Sequence, residues 1–264
     1  SLDRKLDVAL VHRHFPKNYQ SLNPKPFAET AGARNENGTY FGIAAQPAMS
    51  WRVNAYFDFW KHRWATYKAS SPSAGHEWLG RLTYEKRRKM EAYFQIKTEV
   101  KGEDADLETG KLATLAERKN VQTRLHFSYK LTPEIELRSR FETGFSEKEG
   151  VKNKGSLLSQ DLIFKDLGSP FSFSTRLAIF DTDGYAIRFY SYENDLMNDY
   201  SIPAYFDRGI RFYLNCRWRI NHHWMLEGRY SNSRYSNLGA VGSGLEEIAK
   251  PVKSEVKMQV RWQF

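Results

Sequence analysis

The closing stretch of the chain, residues 255–264, alternates without a break. Val256, Met258, Val260, Trp262 and Phe264 fall on one face, and Lys257, Gln259, Arg261 and Gln263 on the other, because successive side chains of a strand point to opposite sides. A ribbon with one oily and one cationic face has two homes. A soluble sandwich hides the oily face against a second sheet, whereas an outer-membrane barrel turns it to lipid and keeps the charges inside.

The same period of two recurs along the chain. It predicts strands beginning at Leu6 and covering residues 40–45, 51–60, 78–84, 90–97, 121–130, 135–142, 157–165, 171–179, 210–219 and 224–231 before the final one. In the third, Trp51, Val53, Ala55, Phe57 and Phe59 oppose Arg52, Asn54, Tyr56, Asp58 and Trp60. Short polar turns are expected at 47–50, 86–89, 132–134, 167–170 and 221–223. Longer solvated connections are expected at 16–38, around 70–75, at 101–119, 147–155, 181–208 and 232–253. Short and long connections therefore alternate, as short periplasmic turns and long extracellular loops do in outer-membrane barrels. Predicted strands of about ten residues are close to what crosses a bilayer when tilted. The expectation is a single antiparallel transmembrane β-barrel of about twelve strands over residues 1–264, with both chain ends on the periplasmic side. All seven tryptophans, Trp51, Trp60, Trp64, Trp78, Trp218, Trp224 and Trp262, fall near predicted strand ends, where indoles favour a membrane interface.

Composition fits this class and excludes a helical membrane protein. The chain is 41% hydrophobic, 27% charged and 15% aromatic, with a mean hydropathy of -0.66 and no apolar run long enough for a spanning helix. A single cysteine, Cys216, excludes an intramolecular disulfide framework, and its apolar phase marks it as a small hydrophobe. The chain opens Ser-Leu-Asp-Arg-Lys, without an initiator methionine or a signal sequence. Outer-membrane proteins are made with a removable signal, so a mature or truncated C-terminal piece is expected.

A formal net charge of +9 points to anionic partners: lipopolysaccharide among the outer-membrane lipids, an anionic solute, or nucleic acid. The cations expected inside the barrel are Arg52, Arg81, Lys97, Arg124, Lys130, Arg138, Arg140, Arg176, Arg211, Arg217, Arg219, Arg229, Lys257 and Arg261. Acids on the same face are fewer: Asp58, Glu91, Glu136, Glu142 and Glu227. Two uses are open, an anion-attracting channel or cross-strand Arg–Glu ladders that fill the interior, since twelve strands lie between filled and open barrels. The aromatic Phe264 end is expected to engage the barrel-assembly machinery.

No catalytic, cofactor or metal site is expected. His222 and His223 sit in a turn without further ligands, and His126 lies alone among cations. His76 beside Ser70, Ser71 and Ser73 suggests a hydrolase such as the barrel phospholipases, but the Asn-His-x-Ser pattern of those enzymes is not present. The long 181–208 connection holds Asp181, Asp183, Tyr192, Glu193, Asn194 and Asp195 near Gly184. Such groups suit calcium, a glycan, or a plug folded into the barrel mouth, and the plug is the favoured use.

The segments at 19–22, 72–75, 180–185 (Phe-Asp-Thr-Asp-Gly-Tyr), 192–195, 201–205 (Ser-Ile-Pro-Ala-Tyr), 242–248 and 254–264 carry a resemblance. Together they resemble the C-terminal barrel of bacterial outer-membrane proteins that contain helix-hairpin-helix modules like those of competence DNA-binding proteins. The resemblance spans nearly the whole chain. It implies modules preceding the barrel, further strands there, and contact with nucleic acid during DNA uptake. No helical pair with a Gly-rich hairpin is predicted here, so no DNA-binding residue is carried over.

Overall fold

The computed structural model describes residues 5–20, 27–30, 32–105, 114–242 and 244–264. Its strands are β1 Leu6–Phe15, β2 Glu36–Ala48, β3 Trp51–His62, β4 Ser73–Lys86, β5 Met90–Asp104, β6 Leu115–Lys130, β7 Ile135–Lys148, β8 Val151–Lys165, β9 Phe171–Thr182, β10 Phe189–Tyr190, β11 Ala204–Tyr205, β12 Arg208–Arg219, β13 Trp224–Tyr235 and β14 Val252–Trp262. Twelve of these form one sheet in the order β1-β2-β3-β4-β5-β6-β7-β8-β9-β12-β13-β14, and β10 pairs only with β11. The chain divides into two compact units, residues 1–85, 93–123 and 145–152, and residues 86–92, 124–144 and 153–264.

Register follows the alternation. In the second unit Trp224 lies opposite Trp262, Leu226 opposite Val260 and Gly228 opposite Met258, while Glu227 faces Gln259 and Arg229 faces Lys257. A one-residue slip would put every apolar side chain on the ionic face, so the pattern fixes the pairing. In the first unit the ladder of β2 and β3 shifts between Ala45 and Ala48, around Pro47, whose nitrogen cannot donate to it.

The two faces are inverted relative to a soluble domain. Leu177 is 50% exposed and Val260 63%, and Leu125, Phe141, Ile179 and Met258 are exposed as well. The opposite face buries charge: Glu142, Arg176, Glu227 and Arg229 are all buried. No second layer covers Leu125 or Val260, as a sandwich would require. Apolar residues face outward and ions inward, the plan of an antiparallel transmembrane β-barrel. The expected class and strand number therefore hold.

Several expected boundaries need correction. β2 begins at Glu36, within the expected 16–38 loop, and β4 begins at Ser73. Most of the described part of 101–119 is strand, since β5 runs to Asp104 and β6 starts at Leu115; residues 106–113 lie outside the described residues. The expected 147–155 loop is a tight turn, with Glu149 (φ 51°) and Gly150 (φ 78°) both in the left-handed region that matches a two-residue hairpin. In β6 the outward positions Glu117 and Lys119 are charged and exposed while the inward ones that follow each are polar too, which hides the period.

The tryptophans are corrected too. Trp51, Trp218, Trp224 and Trp262 lie at the short-turn ends of their strands, with Trp218 stacked on Phe171 at 5.5 Å between ring centres. Trp78 instead sits within β4 opposite Phe57, and Trp60 is buried on the ionic face.

Replacing Leu177 by Arg should lower the folding stability in lipid vesicles by about 2–4 kcal/mol, the cost of a cation at mid-bilayer. Guanidinium titration of the refolded protein measures it, and a cost near zero would contradict the lipid-facing assignment.

Candidate functional site: an acidic plug on a basic sheet

The site of the second unit is built where residues 183–207 leave the ladder between β9 and β12 and fold back over the ionic face. The segment is a small hairpin. Phe189 pairs with Tyr205, and the Glu193 N–H donates to the Ser201 carbonyl at 2.9 Å. Its upper part is apolar: Phe189 and Tyr205 pack with Leu157, Ala178, Phe180, Tyr235 and Val241. A short 3-10 turn, Tyr185–Ile187, places Ile187 against β7 at Gly144, where a Cβ would lie 2.8 Å from the Ile187 Cδ1. A bare backbone is what allows that approach.

Below this, the hairpin is held by charge. Glu193, wholly buried, accepts hydrogen bonds from Arg211 Nε (2.7 Å) and Nη2 (2.8 Å), from Arg229 Nη2, and from the Tyr205 hydroxyl (2.7 Å). Asp195 accepts from Lys257 Nζ at 2.9 Å and lies 3.8 Å from Arg229 Nε, and Asp199 accepts from Lys257 at 2.7 Å. Arg176 forms a two-pronged pair with Asp161 (2.6 and 2.8 Å) and donates to Ser191 Oγ and the Tyr192 carbonyl. Arg140 also donates to Ser191 Oγ, at 2.9 Å. Arg140 and Arg124 both reach Glu142, at 2.6 and 3.0 Å. These interactions are short, charge-assisted and largely dry, the regime in which an unpaired partner is most costly.

The expected interior cations thus divide into groups. Arg124, Arg140, Arg176, Arg211, Arg229 and Lys257 converge on the plug or on the acids beneath it. Arg217 pairs with Glu227 and Arg138 with Glu136 (2.6 Å), both partly exposed. Arg261 donates to the sulfurs of Met197 and Met225. Arg52, 3.5 Å from Glu85, and Arg219 are exposed and take no part.

Of the expected plug residues, Glu193, Asn194 and Asp195 are at its centre; the Asn194 carbonyl accepts from Arg229 at 3.2 Å. Tyr192 contributes its carbonyl while its ring is exposed. Asp181 and Asp183 are corrected: Asp181 belongs to β9 and pairs with Arg208 at 3.0 Å, and Asp183 accepts from the Lys154 N–H. Both pin the ladder at the mouth.

The first unit carries a second ionic knot that the sequence pattern missed. Arg13 Nε reaches Glu36 at 2.5 Å, and its two terminal nitrogens bond the two oxygens of Asp58 at 2.8 and 3.1 Å. Its register partner is Gly38, whose missing side chain leaves room for the guanidinium. A cavity of about 820 Å³ adjoins this knot, with Trp60, Trp64, Tyr67, Lys68 and Lys101 in its wall. Glu29, in the loop above, donates its N–H to Glu36 Oε2 at 2.9 Å. Burial pushes the Glu29 carboxyl up to about 7, and the acids Glu99, Glu77 and Glu36 add to this, against the opposing pull of Lys101.

The hydrolase constellation does not assemble. The Ser70 hydroxyl donates to Asp104, whereas His76 lies in β4 and stacks on Phe57 at 5.9 Å. His223 Nδ1 is 2.8 Å from the Gln263 carbonyl. Among the described residues no group of three metal-ligating side chains is gathered.

No family model matches the chain, and no curated protein matches it. Similar solved structures include the toluene transporter TodX of Pseudomonas putida, 11% identical, with 86% of this chain and 74% of that chain covered and a TM-score of 0.35. Another is a loop L8 deletion mutant of OmpT, an outer membrane protein of Vibrio cholerae, 7% identical, with 86% and 90% covered and a TM-score of 0.36. The class rests on the chain's own faces and ladders: it is an outer-membrane β-barrel whose lipid-facing surface is carried by strands, and no helix among the described residues is long and apolar enough to span.

Two outcomes follow. Glu193→Gln should lower the denaturant stability by about 3–5 kcal/mol, because it takes the directly bonded carboxylate from Arg211 and from buried Arg229 and leaves Arg229 only Asp195 and Glu255 at 3.8 and 3.7 Å, while Arg52→Gln should change it by less than about 1 kcal/mol. Glu29 keeps its proton in the folded state up to about 7, above the ordinary 4.5, so packing of residues 27–30 should weaken as pH climbs through that window. Hydrogen exchange of those amides, corrected for intrinsic rates, should accelerate across it in the native chain and stay flat in Glu29→Gln.

Proposed function

We propose that the protein is a non-enzymatic outer-membrane conduit or scaffold for an anionic solute or polymer, held closed by its own acidic hairpin. The observation that carries this is Glu193, fully buried between Arg211 and Arg229. Carboxylates of the chain occupy the places that the anionic groups of a cargo would take. Once the hairpin is displaced, Arg211, Arg229 and Lys257 lose the carboxylates of Glu193, Asp195 and Asp199, while Arg176 and Arg140 keep Asp161 and Glu142, and a cluster of that kind draws and orients anions. The permanent charge and forked donors of arginine suit phosphate as well as carboxylate. A nucleic acid is therefore a candidate cargo, in keeping with the resemblance to helix-hairpin-helix barrels of competence systems. The barrel-assembly machinery, acting on the Phe264 end, is the proposed route into the membrane.

A second reading is favoured by the aromatic-walled cavity of the first unit, since exposed indole and phenol rings beside polar groups suit a glycan. It predicts capture by the loops without conductance.

In planar bilayers the native protein should show small, rare openings. Glu193→Gln, and separately Gly144→Leu, which wedges Ile187 away without touching a charge, should give larger openings with anion preference. Unchanged conductance in both variants would remove the conduit reading and leave the loop-capture one.

A further inference from the structure

One cationic group stands apart from the paired ions described above. The turn between β4 and β5 presents Lys86, Arg87, Arg88 and Lys89 in succession, all exposed, with Arg88 in the left-handed region at φ 60°. Among the described residues the side chains of Lys86, Arg87 and Arg88 have no acidic partner. Lys89 lies over the Tyr129 ring at 5.7 Å, and its carbonyl accepts the Lys130 N–H at 2.9 Å.

The turn also sits at a definite height. It lies at the short-turn ends of the strands, where Trp218, Trp224 and Trp262 of the same unit mark the interface. Directly above it on the outward face of β6 run Leu125, Phe127 and Tyr129, the last two stacked at 6.2 Å, and exposed Leu131 continues the apolar surface. Free cations thus adjoin a lipid-facing aromatic column at the boundary of the apolar band.

We propose that Lys86, Arg87, Arg88 and Lys89 form a headgroup site for anionic phospholipid in the leaflet on the short-turn side. The forked guanidinium groups of Arg87 and Arg88 take the phosphate, and the Leu125–Phe127–Tyr129 column takes the acyl chains. The contiguous apolar column is what favours a lipid over a nucleic acid, which needs only the charge. Basic residues at such a surface act additively over a Debye length, so four adjacent ones form a strong local trap. The inference is independent of the plug.

The test uses the full chain in detergent micelles, mixed with equal phosphatidylglycerol and phosphatidylcholine and read by native mass spectrometry. The native protein should retain the anionic lipid about tenfold over the neutral one. K86Q/R87Q/R88Q/K89Q should abolish the preference, and K152Q/K250Q/K253Q, which removes three cations of the opposite end, should keep it. Heat-modifiable gel migration reports folding of each. Should the fourfold variant fail to fold, R87Q/R88G, whose glycine accepts the left-handed backbone, should still cut the preference several-fold. A preference that survives the turn variants, or falls equally in the control, overturns the proposal. So does binding of a single-stranded oligonucleotide through this turn that phosphatidylglycerol cannot displace.

Discussion

A guanidinium cannot shed its proton, so a buried arginine demands a negative partner wherever the fold puts it. Arg229 is the sharpest case. The register of β13 against β14 turns it to the ionic face, where it is sealed from water, and neighbouring strands add Arg211, Arg176 and Arg140. The sheet supplies Asp161, Glu142, Glu227 and Glu255, too few once Arg124, Arg217 and Lys257 are counted with these four. Glu193, Asp195 and Asp199 make up the difference, and they arrive on residues 183–207. The plug is therefore part of the electrostatic closure of the second unit.

The apolar contacts of the plug serve a different purpose. Ion pairs of this kind roughly offset their own desolvation, so they specify where the hairpin sits more than they hold it there. Net attachment comes from Ile187 seated at Gly144 and from Phe189 and Tyr205 packed among Leu157, Phe180 and Tyr235. Position and adhesion are assigned to different side chains, which is why a charge change and a steric change are separate ways of unseating it.

How much was legible beforehand follows from which contacts are local. The alternation of Val256, Met258 and Val260 against Lys257, Gln259 and Arg261 sufficed for class, strand number and face, because the period of a strand is a property of its own residues. The upper halves of β5 and β6 were not legible, since Lys101, Glu103, Glu117 and Lys119 beyond the apolar band read as a solvated loop. Acids beside a glycine marked residues 181–195 as unusual, and Glu193 and Asp195 were found that way. Asp181 was misplaced because its partner, Arg208, lies on the far side of the excursion. The Arg13–Glu36–Asp58 knot depends on three strands meeting, and no spacing in one segment announces it. Asp161 was missed for the same reason.

The two ends of the plug segment meet: Asp181 faces Arg208 in the ladder, and the Thr182 N–H donates to the Asp207 carbonyl at 2.8 Å. β9 and β12 can therefore zip together with the intervening hairpin still loose. The cations that seat Glu193 and Asp195 follow it in the chain, on β12, β13 and β14. The hairpin therefore takes its described place only against β12, β13 and β14 already paired with one another, and its order is a readout of theirs.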